Sequence, residues 1–192
     1  MTSKSDLPRA SEASVRREAP KVDTLFSAAE IASRIESLAD AIAQWRTSKE
    51  PLVLIGVLRG AVPFVADLAR ALHARKVPLV IDYVSAESYK GSASTGQVAL
   101  GASPTISIRG CDVVIVDDIL DTGLTLAAVK DSFEPTMPAR IASCVLLDKT
   151  TRRVNGLEAE FVGFQCPDTF VVGYGMDLDG RFRELPFIGT VA

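Results

Sequence analysis

Val113-Val114-Ile115-Val116-Asp117-Asp118-Ile119-Leu120-Asp121-Thr122-Gly123-Leu124-Thr125 sets four β-branched residues against three acids and a Thr-Gly-x-Thr turn. The β-branched run predicts a strand buried on both faces, as in a parallel sheet. Ligands of open α/β sheets bind outside the carboxyl ends of the strands, and here that end carries Asp117, Asp118 and Asp121. The turn that follows reads as an anion cradle. Gly123 permits a tight bend, Thr122 and Thr125 add hydroxyl donors, and successive N–H groups open the next helix toward a phosphate. The acids would repel a phosphate that touched them. Acids and cradle side by side imply a ligand with hydroxyls or a metal at one end and a phosphate at the other, and ribose 5-phosphate has that form. The plain alternative is a solvated acidic turn that caps a helix.

The pattern on either side is α/β. Ile31, Ile35, Leu38, Ile42 and Trp45 mark one buried helical face. Leu52 to Val57 reads as a buried strand and Leu58-Arg59-Gly60 as the turn after it. Pro63 suits the first turn of the next helix, whose apolar face holds Phe64, Val65, Leu68 and Leu72. Leu79 to Val84 predicts a second strand. Ser85 to Gln97, rich in serine and glycine with Tyr89 among them, has no periodicity and reads as a lid. Val98 to Leu100 and Thr105 to Ile108 read as short strands of a hairpin. From Thr125 a helix returns with Leu126, Val129 and Phe133 on one side, and strands follow at Ile141 to Leu147, Phe161 to Phe164 and Phe170 to Val172. Strands alternating with helices at this pitch predict a mostly parallel central sheet flanked by helices.

Composition narrows the function. A chain of 192 residues, 47% hydrophobic and 23% charged, is globular and long enough to bury a substantial core. A net charge of −3 gives no basic footprint for nucleic acid, so a phosphate ligand must be held locally. The longest apolar runs fall far short of the ~20 residues of a membrane span. Residues 1–20 lack the apolar stretch of a secretory signal and carry acids unlike a transit peptide, so they read as a disordered extension before a single domain at 21–192. Cys111, Cys144 and Cys166 are widely spaced and lie in or beside apolar segments, which predicts buried free thiols in a reducing, cytoplasmic setting. The lone His73 ends a helical pattern and reads as a surface or helix-terminal contact.

The acid-and-cradle stretch resembles the binding signature for 5-phosphoribosyl-1-pyrophosphate (PRPP) of the type I phosphoribosyltransferases. From about residue 25 to its end, the chain is similar to their hypoxanthine-guanine branch. Gly56 to Ala61 resembles that branch's first loop, and Ser88-Tyr89 with Ser94-Thr95-Gly96 its mobile loop. Leu146 to Lys149, Gly163-Phe164 and Phe170 to Asp177 resemble the base-binding side, and Arg181 to Pro186 closes the match.

The resemblance implies the type I fold, with a small hood lobe built from N- and C-terminal segments. It also implies transfer of the phosphoribosyl group to hypoxanthine or guanine, with Mg2+ as cofactor and a homodimer or homotetramer as the assembly. Alternatives are a xanthine-preferring or pyrimidine-using transferase, or a PRPP-sensing regulator without catalysis. Carried over residue by residue, Asp117 and Asp118 hold the ribose hydroxyls, and Thr122, Gly123, Leu124 and Thr125 hold the 5-phosphate. Asp121 exchanges a proton with N7 of the purine. Arg59, Gly60, Ser88, Tyr89 and Arg183 lie on PRPP, and magnesium falls to Asp177 with Asp117 and Asp118 nearby. Lys149 donates to the 6-oxo group, Phe170 stacks on the purine, Val171 offers backbone hydrogen bonds and Asp177 completes the base side. Alone, Phe170 would read as a core strand residue and Lys149 as a surface lysine.

The chain departs from the family at two places. Arg59 stands where lysine is frequent, and Leu124 where some relatives carry lysine in the cradle. The family's first loop often contains a non-proline cis peptide, and the sequence leaves open whether Leu58-Arg59 adopts one.

Overall fold

The computed structural model describes residues 20–88, 98–101 and 105–191. Its elements in chain order are β1 (Val22–Phe26), α1 (Ala28–Trp45), β2 (Leu52–Leu58), α2 (Val62–Ala74), β3 (Leu79–Ser88), β4 (Val98–Leu100), β5 (Asp112–Leu120), α3 (Leu124–Phe133), β6 (Arg140–Asp148), β7 (Phe161–Gln165), β8 (Val171–Val172) and β9 (Ile188–Val191).

The main sheet runs β4-β3-β2-β5-β6-β7, with only β4 antiparallel to its neighbour. β5 lies at the centre because its side chains are apolar on both faces. Val114 and Val116 enter one core with α1 and α2, while Val113 and Ile115 enter a second core with Leu126, Val129 and Phe133 of α3. Residues Val113 to Val116 are fully buried. The helices follow their apolar spacing. Ile31, Ile35, Leu38 and Ile42 of α1 are buried, and Ser27 and Glu30 form a reciprocal capping box at its start. Pro63 occupies the first turn of α2, and His73 lies exposed in its last turn.

A second, three-stranded sheet joins the chain's two ends in the order β1-β9-β8. Neither β1 nor β9 stands out in the sequence. β8, read as one more strand after β7, belongs to this second sheet and starts at Val171, leaving Phe170 outside it.

Three expectations of local structure need correction. β5 does not stop at Val116 but continues to Leu120, because β6 keeps pairing with it as far as Leu120 opposite Asp148. Likewise β3 passes Val84 and reaches Ser88, where β4 folds back on it antiparallel. Thr105 to Ile108 forms no strand and no hairpin with β4. Asp82 captures its start, accepting hydrogen bonds from the Thr105 N–H (2.7 Å) and hydroxyl (3.1 Å). Residues 89–97 of the expected lid, Tyr89 among them, lie outside the described residues, as do residues 1–19 of the expected extension.

Cys111, Cys144 and Cys166 are buried free thiols. No helix among the described residues is long and apolar enough to cross a membrane.

Candidate active site

Four segments meet at the carboxyl ends of β2, β5 and β6. The first is the end of β5. The Asp117 carboxylate accepts the Asp118 N–H at 2.9 Å, and Asp118 accepts the Ile119 N–H at 2.9 Å. Burial pushes the Asp117 carboxyl well above the ordinary range, and the adjacent Asp118 charge pushes it further. Burial raises Asp118 too, and its hydrogen bonds and the positive charge of Arg183 only partly offset this. Two neighbouring buried carboxyls do not ionise together cheaply.

The second segment is the cradle. Gly123 caps α3 with φ 84, a left-handed conformation that glycine adopts without strain. Asp117, Asp121, Thr122, Gly123 and Thr125 line a hollow of about 60 Å³ at the helix start. Leu124 is the first residue of α3. The N-terminus of this helix therefore faces a space fit for an anion.

The third is the loop after β2. The Leu58-Arg59 peptide is cis, Arg59 is exposed and Gly60 is buried. A β-carbon at Gly175 would lie 2.0 Å from the Gly60 carbonyl oxygen, so the turn after β8 presses directly on this loop. On that turn Arg183 donates to the Gly175 carbonyl at 2.5 Å and pairs with Asp177 at 2.6 Å, while the second Asp177 oxygen accepts the Gly180 N–H.

The fourth lies after β6. Lys149 is buried, and its ammonium donates to the Thr169 carbonyl at 2.6 Å. Its backbone N–H donates to the Leu120 carbonyl at 2.9 Å, placing it beside the cradle. Phe170 follows Thr169 with 56% of its surface exposed, and Val171 is buried. An exposed phenylalanine next to a buried ammonium suits a flat polar ring stacked on one and read by the other.

Asp121 stands between cradle and lysine. One carboxylate oxygen lies 3.2 Å from Arg152, and the other is buried with no hydrogen-bond partner among the described residues. An unsatisfied buried acceptor is costly, and a ligand proton would satisfy it.

Across its sequence the chain matches the phosphoribosyl transferase domain over residues 22–179. The chain belongs to this phosphoribosyl transferase family. It is 42% identical to the hypoxanthine phosphoribosyltransferase of Salmonella typhimurium over 172 residues, 88% of this chain and 95% of that one. It is 38% identical to the hypoxanthine-guanine phosphoribosyltransferase of Aquifex aeolicus, covering 89% and 95%. Among solved structures, the Bacillus anthracis hypoxanthine-guanine phosphoribosyltransferase superposes with a TM-score of 0.83 at 42% identity, over 91% of this chain and all of that one. The mixed α/β architecture with its central parallel sheet is thus the phosphoribosyl transferase family's fold.

In this phosphoribosyl transferase the structure brings together Gly60, Asp117, Asp118, Asp121 to Thr125, Lys149, Asp177 and Arg183. Ser88 ends β3. Sequence reading missed Arg152, Arg153 and Asn155, whose contacts gather behind the cradle. The paired arginines after Lys149 are visible in the chain, but nothing there marks the Arg153 side chain as nearly covered.

Proposed function

We propose that this chain transfers the 5-phosphoribosyl group of PRPP to N9 of hypoxanthine or guanine, giving IMP or GMP and pyrophosphate. The supporting observation is the 2.9 Å bond from the Lys149 N–H to the Leu120 carbonyl. It sets the backbone of Lys149, whose ammonium is buried, beside the strand end that leads into the anion cradle.

On this reading Asp117 and Asp118 accept hydrogen bonds from the ribose 2- and 3-hydroxyls, and the Thr122 to Thr125 turn donates to the 5-phosphate. Asp121 takes the proton from N7 as N9 bonds to C1 of the ribose, and its unsatisfied oxygen is the acceptor. The anionic wall also favours the positive charge that develops at C1. Lys149 keeps two N–H groups beyond the one held by Thr169, and one of them serves the 6-oxo group. Phe170 stacks on the ring, and Val171 offers backbone hydrogen bonds. Arg59 and Arg183 contact the leaving pyrophosphate, with Ser88 and Tyr89 on the PRPP side.

Among the described residues no group of three or more His, Cys, Asp or Glu side chains could hold a metal ion. Magnesium fits that donor set only as a substrate-carried ion, since it takes one or two carboxylates plus phosphate oxygens and water. Asp177 would ligate it, with Asp117 and Asp118 close to the ribose oxygens. When bound it neutralises charge on the departing pyrophosphate. The reading carries a cytoplasmic location and a homodimer or homotetramer.

The test is stoichiometric. Incubation with PRPP, magnesium and hypoxanthine should yield IMP and pyrophosphate in equal amounts, and a chelator should stop both. Pyrophosphate release without nucleotide would contradict transfer to the base.

A further inference from the structure

Behind the cradle a short strap, residues 153–155, takes hold of the backbone carbonyls of the phosphate loop one after another. The Arg153 guanidinium donates to the Leu120 carbonyl at 3.1 Å and, through Nε, to the Asp121 carbonyl at 2.9 Å. The Val154 N–H donates to the Thr122 carbonyl at 3.1 Å. The Asn155 side-chain amide donates to the Gly123 carbonyl at 3.0 Å. Packing is tight as well, because a β-carbon at Gly123 would fall 2.3 Å from Asn155 Oδ1 and 2.9 Å from Arg153 Cδ.

A planar trans peptide directs its carbonyl and its N–H to opposite sides. Carbonyls of Asp121 and Thr122 drawn back onto the strap therefore turn the N–H groups of Thr122 and Gly123 toward the cradle. The Gly123 carbonyl is shared between Asn155 and the Ala127 N–H of α3 (3.0 Å), and the Leu124 N–H lies 3.4 Å from the Thr122 hydroxyl. Donors fixed before the ligand arrives cost no ordering when it binds.

Arg153 reaches the other half of the site too. Its side chain is 9% exposed and pairs with the carboxylate of Asp148, which Gln165 also holds, and it contacts the Lys149 carbonyl at 3.4 Å. A single planar guanidinium so spans the phosphate loop and the strand end that carries Lys149. Lysine cannot replace that fork.

We propose that Arg153 and Asn155 are positioning residues. Asn155 fixes the aim of the phosphate loop alone, and Arg153 fixes that loop and the base-reading Lys149 relative to each other. The assignment of Lys149 rests on the function proposed above, whereas the role of the strap toward phosphate does not.

The two residues separate the effects. Asn155 is exposed, and apart from its contact with the loop it only accepts the Leu157 N–H at 3.2 Å on the surface, so Asn155→Ala should leave Tm and the hypoxanthine KM near wild type. It should weaken ribose 5-phosphate binding and raise the PRPP KM by about 3- to 10-fold, the scale of one net hydrogen bond. Asn155→Asp, which sets a carboxylate against the Gly123 carbonyl, should weaken both further. Arg153→Lys should raise the KM of PRPP and of hypoxanthine together and lower kcat, with a combined loss on the order of 10²-fold for a displaced site.

Ribose 5-phosphate binding, read by calorimetry on the whole chain, needs no turnover, and the Asn155 variants decide the matter if Arg153→Lys does not fold. Wild-type affinity for ribose 5-phosphate in Asn155→Ala would overturn the proposal, as would a hypoxanthine KM that rises in step with that of PRPP. A wild-type chain that binds ribose 5-phosphate yet transfers nothing to hypoxanthine would sink the proposed function and leave the strap standing. Failure of the wild type to bind ribose 5-phosphate would sink both.

Discussion

A β-carbon at Gly60 would lie 1.6 Å from Oδ2 of Asp118. No side chain fits between the loop after β2 and the acid at the end of β5, so Gly60→Ala must move one of them. Overpacking of this kind costs about 1–3 kcal/mol. On the proposed function this carboxylate holds the ribose, so the PRPP KM should rise on the order of 10²-fold while the chain stays folded. Steady-state kinetics beside a melting curve measure both, and an unchanged PRPP KM would show that the loop yields without disturbing Asp118.

Asp117 is held at the expense of stability. Its folded carboxyl keeps its proton to higher pH than the unfolded chain does, chiefly because it is buried. Stability therefore falls as pH rises from the ordinary aspartate range through the folded value. Without PRPP or magnesium, Asp117→Asn should melt above wild type at neutral pH, and the difference should vanish in acid below the ordinary aspartate range. The same variant should bind PRPP more weakly. A lower Tm than wild type at neutral pH would contradict the assignment of a destabilising charge.

Asp121→Asn should lower kcat by roughly 10²–10⁴-fold, the usual scale for a lost acid-base group. The cradle carbonyls are held by the strap and not by this side chain, so PRPP affinity should hardly change. Isothermal binding of PRPP beside single-turnover rates separates the two. Equal losses in binding and rate would make Asp121 a phosphoribose ligand.

Lys149→Ala removes the only ammonium among the described residues that is both buried and beside the cradle. The kcat/KM for hypoxanthine and for guanine should drop together, since both present the same 6-oxo acceptor, while the PRPP KM should stay within a few-fold. Loss confined to guanine would place the lysine elsewhere on the ring.

What could be read from the chain was what local chemistry dictates. Four β-branched residues before three acids specify the central strand and its ligand end, and Gly123 between threonines specifies the cradle. Features that depend on distant partners were not legible. β1 and β9 are short and obtain their pairing only from each other and from β8 across the whole chain. Thr105 to Ile108 has strand-like residues, but Asp82 captures its start. Arg153 reads as a surface arginine, and only the Asp148 carboxylate and the carbonyls gathered around it, supplied by segments on either side of α3 and β6, make the near-burial of its charge tolerable. Ser27 and Glu30 form a capping box that the sequence displays and that sequence reading passed over.

The most direct measurement is the kcat/KM of the wild-type chain, at saturating PRPP and magnesium, for hypoxanthine, guanine, xanthine, adenine and uracil. An ammonium has no acceptor to offer the 6-amino group of adenine, and sites built on such a contact discriminate by about 10⁴–10⁵. Hypoxanthine and guanine should be used efficiently, with adenine lower by at least about 10⁴-fold. Adenine used within about tenfold of hypoxanthine, a difference of only ~1.4 kcal/mol, would contradict a site that reads a 6-oxopurine through Lys149.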